Sequence, residues 1–111
     1  MKMKEYMKSI QDEADYEQIK AKDHVSVFVY SATWCPDCRF IEPFMSKLCE
    51  KYADYAFYYI DRDEWTALAQ AEMVMGIPSF IAYRNGKELG RFVSKLRKSE
   101  TEIDDFLASL S

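Results

Sequence analysis

The stretch "SATWCPDCRF", residues 31–40, puts Cys35 and Cys38 three positions apart behind Trp34. It follows the run "VSVFVY" (25–30) and opens onto Pro36. An unbroken β-branched and aromatic run reads as a strand buried on both faces. Proline suits a first helical position, where its missing N–H would be unpaired anyway. The local reading is therefore strand, short loop, helix, with Cys35 at the helix start and Cys38 one turn in. A helix N-terminus offers unpaired N–H groups and partial positive charge, which favours thiolate over thiol. One attacking sulfur and a second placed to displace it is what thiol–disulfide exchange requires.

Outward from this centre the chain keeps alternating. Helix signals run from Pro36 to about Tyr52, with Pro43 inside and expected to kink the helix. "YAFYYI" (55–60) reads as a second strand, after which Asp63 is expected to cap a helix through "EWTALAQAEM". "PSFIAYR" and "KELGRFV" flank Asn85-Gly86, a strong hairpin signal. Ser99 and Glu102 form a capping box before a helix that buries Ile103, Phe106, Leu107 and Leu110. Upstream, residues 11–23 read as a short polar helix with Tyr16 and Ile19 on one side, while residues 5–10 fit strand or helix. The sum is an α/β layer with one antiparallel edge, expected as one domain over residues 1–111.

Composition narrows the function classes. A hydrophobic content of 49% with 31% charged residues describes a globular chain, and a net charge of −4 argues against nucleic acid as the main partner. No apolar run approaches a membrane span, and the charged start "MKMKEYMKSIQDEAD" has no hydrophobic core of a secretory signal. A cytoplasmic, monomeric protein with no membrane partner is expected. In a reducing compartment, 3 cysteines do not make a disulfide scaffold, so the close pair reads as catalytic or metal-binding.

With these residues in view, the chain resembles the thioredoxin family. "WCPDCRFIEPF" carries that family's tryptophan, its C-x-x-C and the proline five residues after the second cysteine. "GIPSF" (76–80) resembles the loop whose proline takes the cis form beside the active-site cysteines, and "YRNGKELGRF" resembles the closing hairpin. The resemblance implies a thioredoxin fold, a central mixed sheet flanked by helices on both faces. It implies a thiol–disulfide oxidoreductase that reduces protein or small-molecule disulfides, with no bound cofactor and with electrons from a reductase or dithiol donor. Cys35 would be the nucleophile, Cys38 the resolving thiol, and Trp34 a flank of the substrate groove. Pro78 would present the Ile77 backbone to an extended substrate, and Ser94 stands where the family offers the substrate a glycine.

Other positions depart from the pattern. Val29 and Phe57 replace the family's buried acid and buried lysine, and Pro36-Asp37 replaces Gly-Pro, which implies a narrower substrate range. Without an acid at 29, Glu42, four residues after Cys38 on the same helix face, is the expected proton acceptor for Cys38. The alternative for Glu42 is a solvated residue ahead of Pro43. The rival functions are a thioredoxin-fold binding module with little turnover, and a zinc site that has only Cys49 and His24 as further ligands. Cys49 is expected to pack inertly and His24 to sit at the surface. Lys95, Arg97 and Lys98 form a basic loop that could steer acidic partners.

Overall fold

The computed structural model describes residues 1–111. The elements follow in the order α1 (Met3–Tyr6), α2 (Glu13–Lys20), β1 (Ser26–Ser31), α3 (Pro36–Lys51), β2 (Ala56–Asp61), α4 (Thr66–Ala71), β3 (Ser79–Arg84), β4 (Lys87–Phe92) and α5 (Glu100–Ala108). One four-stranded sheet has the order β2-β1-β3-β4, with β1 and β2 parallel and the other two pairs antiparallel. A parallel pair needs a long crossover, and α3 supplies it. The expected mixed sheet is therefore present.

All six residues of β1 are buried, because helices cover both sides of the sheet. Val27 and Val29 face a cluster with Ile41, Met45 and Leu48 of α3 and Ile103 and Leu107 of α5. Phe28 and Tyr30 face Tyr16, Ile19, Leu68 and Ala69 from α2 and α4. Each fully buried side chain of this size contributes roughly 1.5–3 kcal/mol, so the double-sided packing of β1 dominates the core. The Tyr16 and Tyr30 hydroxyls satisfy one another at 2.7 Å within it.

Local chemistry sets the ends. Asp12 caps α2 by accepting from Asp15 N–H at 2.7 Å. Asn85 and Gly86, with φ of 54° and 78°, make the hairpin turn. The Ser99–Glu102 capping box forms as expected, Ser99 Oγ accepting from Glu102 N–H at 3.2 Å. Ser99→Ala should destabilise the fold by about 1 kcal/mol; chemical denaturation measures it, and an unchanged midpoint would mean that the cap contributes nothing. Pro43 lies inside α3 with an exposed ring.

Two expectations are settled differently. Residues 5–10 are neither one strand nor one helix: α1 ends at Tyr6, and Lys8 makes an isolated parallel bridge to Tyr58. Lys8 N–H donates to Phe57 O at 2.9 Å and Tyr59 N–H to Lys8 O at 2.8 Å, shielding the β2 edge. Asp63 does not cap α4, whose N-cap is Trp65 without a side-chain bond. Its carboxylate has been taken by Trp34.

Candidate active site

Cys35 is the N-cap of α3, and Cys38 lies in the first turn. The two residues meet: the Cys38 backbone N–H donates to Cys35 Sγ at 3.3 Å. A backbone donor aimed at sulfur is the geometry a thiolate accepts. Both cysteines are free thiols, Cys35 6% and Cys38 1% exposed. Cys35 thus presents only a sliver of surface, and Cys38 is fully sheltered. Burial pushes the Cys38 thiol up to about 12; the Cys35 side chain raises it further, while the Ser31 side chain and the Ala32 backbone oppose the rise.

The remaining wall comes from the segment between α4 and β3. The Ile77–Pro78 peptide is cis, and the Ile77 carbonyl lies 3.8 Å from Cys35 Sγ. Next to it, Gly76 packs against the backbone of Ser94 and Lys95. The structure thus brings Cys35, Cys38, Ile77, Pro78 and Ser94 together from α3, the cis-proline loop and the loop after β4. Trp34 is 54% exposed beside the dithiol. Its indole N–H donates to Asp63 at 2.6 Å and its ring lies under the Arg62 guanidinium, so its orientation is fixed from β2's far end.

Glu42 is not brought to Cys38. Its carboxylate accepts from Met3 N–H at 2.7 Å, anchoring α1, and makes no hydrogen bond to Cys38. An otherwise unpaired N–H at the start of α1, 39 residues away, claimed the side chain.

The basic loop also differs from its expectation. Arg97 pairs with Asp37 at 2.7 Å and covers the Phe40 ring, and Lys98 is turned inward and buried. Only Lys95 is left as an exposed, unpaired cation. Sequence reasoning missed the Trp34 partner of Asp63 and the burial of Lys98; a buried environment for a lysine leaves no mark in a run of charges.

His24 and Cys49 line a surface cavity of about 570 Å³ together with Tyr6 and Phe57. His24 precedes β1 and the dithiol follows it, so this cavity lies at the other end of the strand. No three His, Cys, Asp or Glu side chains are grouped so that they could hold a metal ion. Cys49 is half-buried, and burial pushes its thiol up to about 12, as an inert packed thiol requires.

A family model described as Thioredoxin matches residues 6–109. The chain belongs to the thioredoxin family. It is 40% identical over 88 residues to Thioredoxin of Gallus gallus, covering 78% of this chain and 84% of that one. With Thioredoxin-2 of Saccharomyces cerevisiae it shares 42% over 71 residues, 64% of this chain and 68% of the relative. A thioredoxin of Oryza sativa subsp. japonica is 38% identical over 86 residues, 77% of this chain but 64% of the longer relative. Among solved structures, Fasciola hepatica thioredoxin superposes with a TM-score of 0.81 at 26% identity, covering 95% of this chain and 100% of that one. The dithiol geometry and this kinship together make the thioredoxin-family chain a thiol–disulfide oxidoreductase acting through its C-x-x-C pair. Membership brings disulfide substrates and a reductase partner with it.

Proposed function

We propose that residues 1–111 act as one cytoplasmic, monomeric domain that reduces disulfides of extended protein segments. Cys35 is the nucleophile, Cys38 resolves, and Trp34, Ile77, Pro78 and Ser94 receive the substrate. The observation that carries this reading is the pairing of a barely exposed Cys35 with a fully buried Cys38, joined by the 3.3 Å N–H to sulfur contact.

The electrons balance without a bound cofactor. The Cys35 thiolate attacks one sulfur of the substrate disulfide; a Cys35–substrate S–S bond forms and the other substrate sulfur leaves as thiolate. That thiolate takes the Cys38 proton. The Cys38 thiolate then attacks Cys35 Sγ, forming the Cys35–Cys38 disulfide and expelling the second substrate sulfur as thiolate, which takes a proton from water. The protein loses two electrons and the substrate gains them. A reductase or dithiol donor restores the pair.

An open site supports a macromolecular substrate. The dithiol lines none of the main cavities, and exposed apolar side chains, Trp34, Met75 and Leu96, stand on the segments around it. No helix is long and apolar enough to cross a membrane. Reduction of insulin disulfides with a dithiol donor tests the reading: catalysed precipitation of the insulin B chain is expected. A protein that binds peptide but gives no rate above the donor alone would favour the binding module instead.

A further inference from the structure

The segment between β4 and α5, residues 93–98, makes no backbone–backbone hydrogen bond to any part of the chain. Two of its side-chain hydrogen bonds stay inside it: Lys98 Nζ donates to the carbonyls of Ser94 at 3.2 Å and Leu96 at 3.3 Å. The remaining one runs from Arg97 Nε to Asp37 Oδ1 at 2.7 Å, and it alone reaches another element. The Arg97 guanidinium also lies 4.5 Å from the centre of the Phe40 ring. Asp37 and Phe40 are three residues apart on α3 and share a face, so one side chain grips the helix at two neighbouring points.

Asp37 stands between the two cysteines, where the resemblance led to the expectation of proline. At the other end of the segment, Ser94 packs on Gly76, directly before Ile77–Pro78. The two sides of the substrate groove are therefore held differently. The cis-proline side continues into β3, which is paired on both edges, with β1 and with β4. The Ser94 side rests on the Gly76 contact and on Arg97. An exposed ion pair adds little to global stability, but a segment with no other hydrogen bond outside itself takes its local order from that pair.

We propose that Arg97 is a positioning residue of the substrate groove: its clasp on Asp37 and Phe40 fixes residues 93–98 beside the dithiol turn and so favours extended protein disulfides over small ones. The inference rests on Ser94 receiving the substrate. An extended segment lying along the Ile77 backbone meets a second wall that is already ordered, and the cost of ordering it does not fall on binding. A small disulfide needs only the Cys35 sulfur and gains nothing from that wall. The acidic residue between the cysteines thereby has a use that its place in a helix start does not explain.

The test compares kcat/KM for insulin, with a dithiol donor, against the second-order rate constant of the pre-reduced protein with a small aromatic disulfide. Arg97→Met, Asp37→Asn and the double variant are measured beside the wild type. Arg97→Met keeps an aliphatic cover on Phe40 and removes the bond to Asp37. The ratio of insulin to small-disulfide efficiency should fall about fivefold in each single variant, through the KM for insulin and not through kcat. The double variant should fall no further, because both changes break the same contact. Nitrogen-15 relaxation should show the backbone order parameters of Ser94, Lys95 and Leu96 dropping below about 0.6 in all three variants, from roughly 0.8 in the wild type. An unchanged ratio, additive losses in the double variant, or a loss shared equally by both substrates overturns the proposal. Unchanged order parameters overturn it and leave the role of Ser94 standing; a loosened segment with an unchanged KM for insulin overturns both. A wild type that does not catalyse insulin reduction would instead overturn the proposed function, and this inference with it.

Discussion

Cys35→Ser should abolish disulfide reduction, losing at least about a thousandfold in rate, as removal of an attacking group does. Cys38→Ser should let the first attack proceed and then stop. The difference lies in the geometry. Cys35 caps α3 and receives Cys38 N–H on its sulfur, so the attacking atom meets the substrate with a donor already aimed at it. A serine hydroxyl in that place is far less acidic and cannot act as the thiolate does. Cys38 is 1% exposed and reaches no external disulfide; its sulfur can only attack Cys35 Sγ after that atom has become part of a mixed disulfide. Mass spectrometry of Cys38→Ser mixed with a protein disulfide should show a stable covalent adduct, released by added dithiol and absent from Cys35→Ser. Full turnover by Cys38→Ser alone, or an adduct on Cys35→Ser, would reverse the assignment.

The same trapped adduct identifies natural substrates, and the loop after β4 is less basic at its surface than the sequence implied. Of the three basic residues after β4, Arg97 is neutralised by Asp37 and Lys98 is internal, so Lys95 is left as the exposed, unpaired cation, with Leu96 exposed between it and Arg97.

What the sequence disclosed and what it hid follow one division. Patterns whose cause is local were legible: the apolar run of β1, Pro36 at a helix start, the Asn85-Gly86 turn and the Ser99–Glu102 box all formed where their residues stand. The dithiol site was legible for the same reason, since its two sulfurs share one helical turn. Side chains whose partners arrive from elsewhere were not. Glu42 went to Met3 N–H across 39 positions, and Asp63 left its expected cap for the Trp34 indole across 29. Lys98 is the sharpest case. In "SKLRKSE" it looks solvated, and only the closure of the loop over α3 and Gly76 shows why it is inside. A carboxylate or ammonium takes the partner that folding leaves unsatisfied, and folding is not written locally.

Gly76→Ala should destabilise the protein by about 2–4 kcal/mol and impair the site at the same time. The backbone of Gly76 is not in the left-handed region, so the glycine is there for space and not for conformational freedom. A Cβ at this position would meet the Ser94 carbonyl oxygen directly, with the Ser94 carbonyl carbon at 2.8 Å and Lys95 Cα at 2.9 Å. Backbone atoms cannot swing aside as a side chain does, so the loop after β4 must move away from the Ile77–Pro78 segment. Ser94 then shifts away from the Ile77–Pro78 segment, and its carbonyl loses the hydrogen bond it accepts from Lys98 Nζ at 3.2 Å. Gly86→Ala is the control: φ there is 78°, but the added methyl meets nothing within 4 Å. It carries only left-handed strain, roughly 1 kcal/mol, far from the dithiol. Thermal unfolding followed by circular dichroism should place Gly76→Ala roughly 10 °C or more below wild type, and Gly86→Ala a few degrees below. Insulin reduction measured well below both transitions should be slow for Gly76→Ala and normal for Gly86→Ala. A Gly76→Ala protein that melts and turns over like the control would show that the loop after β4 does not depend on this contact.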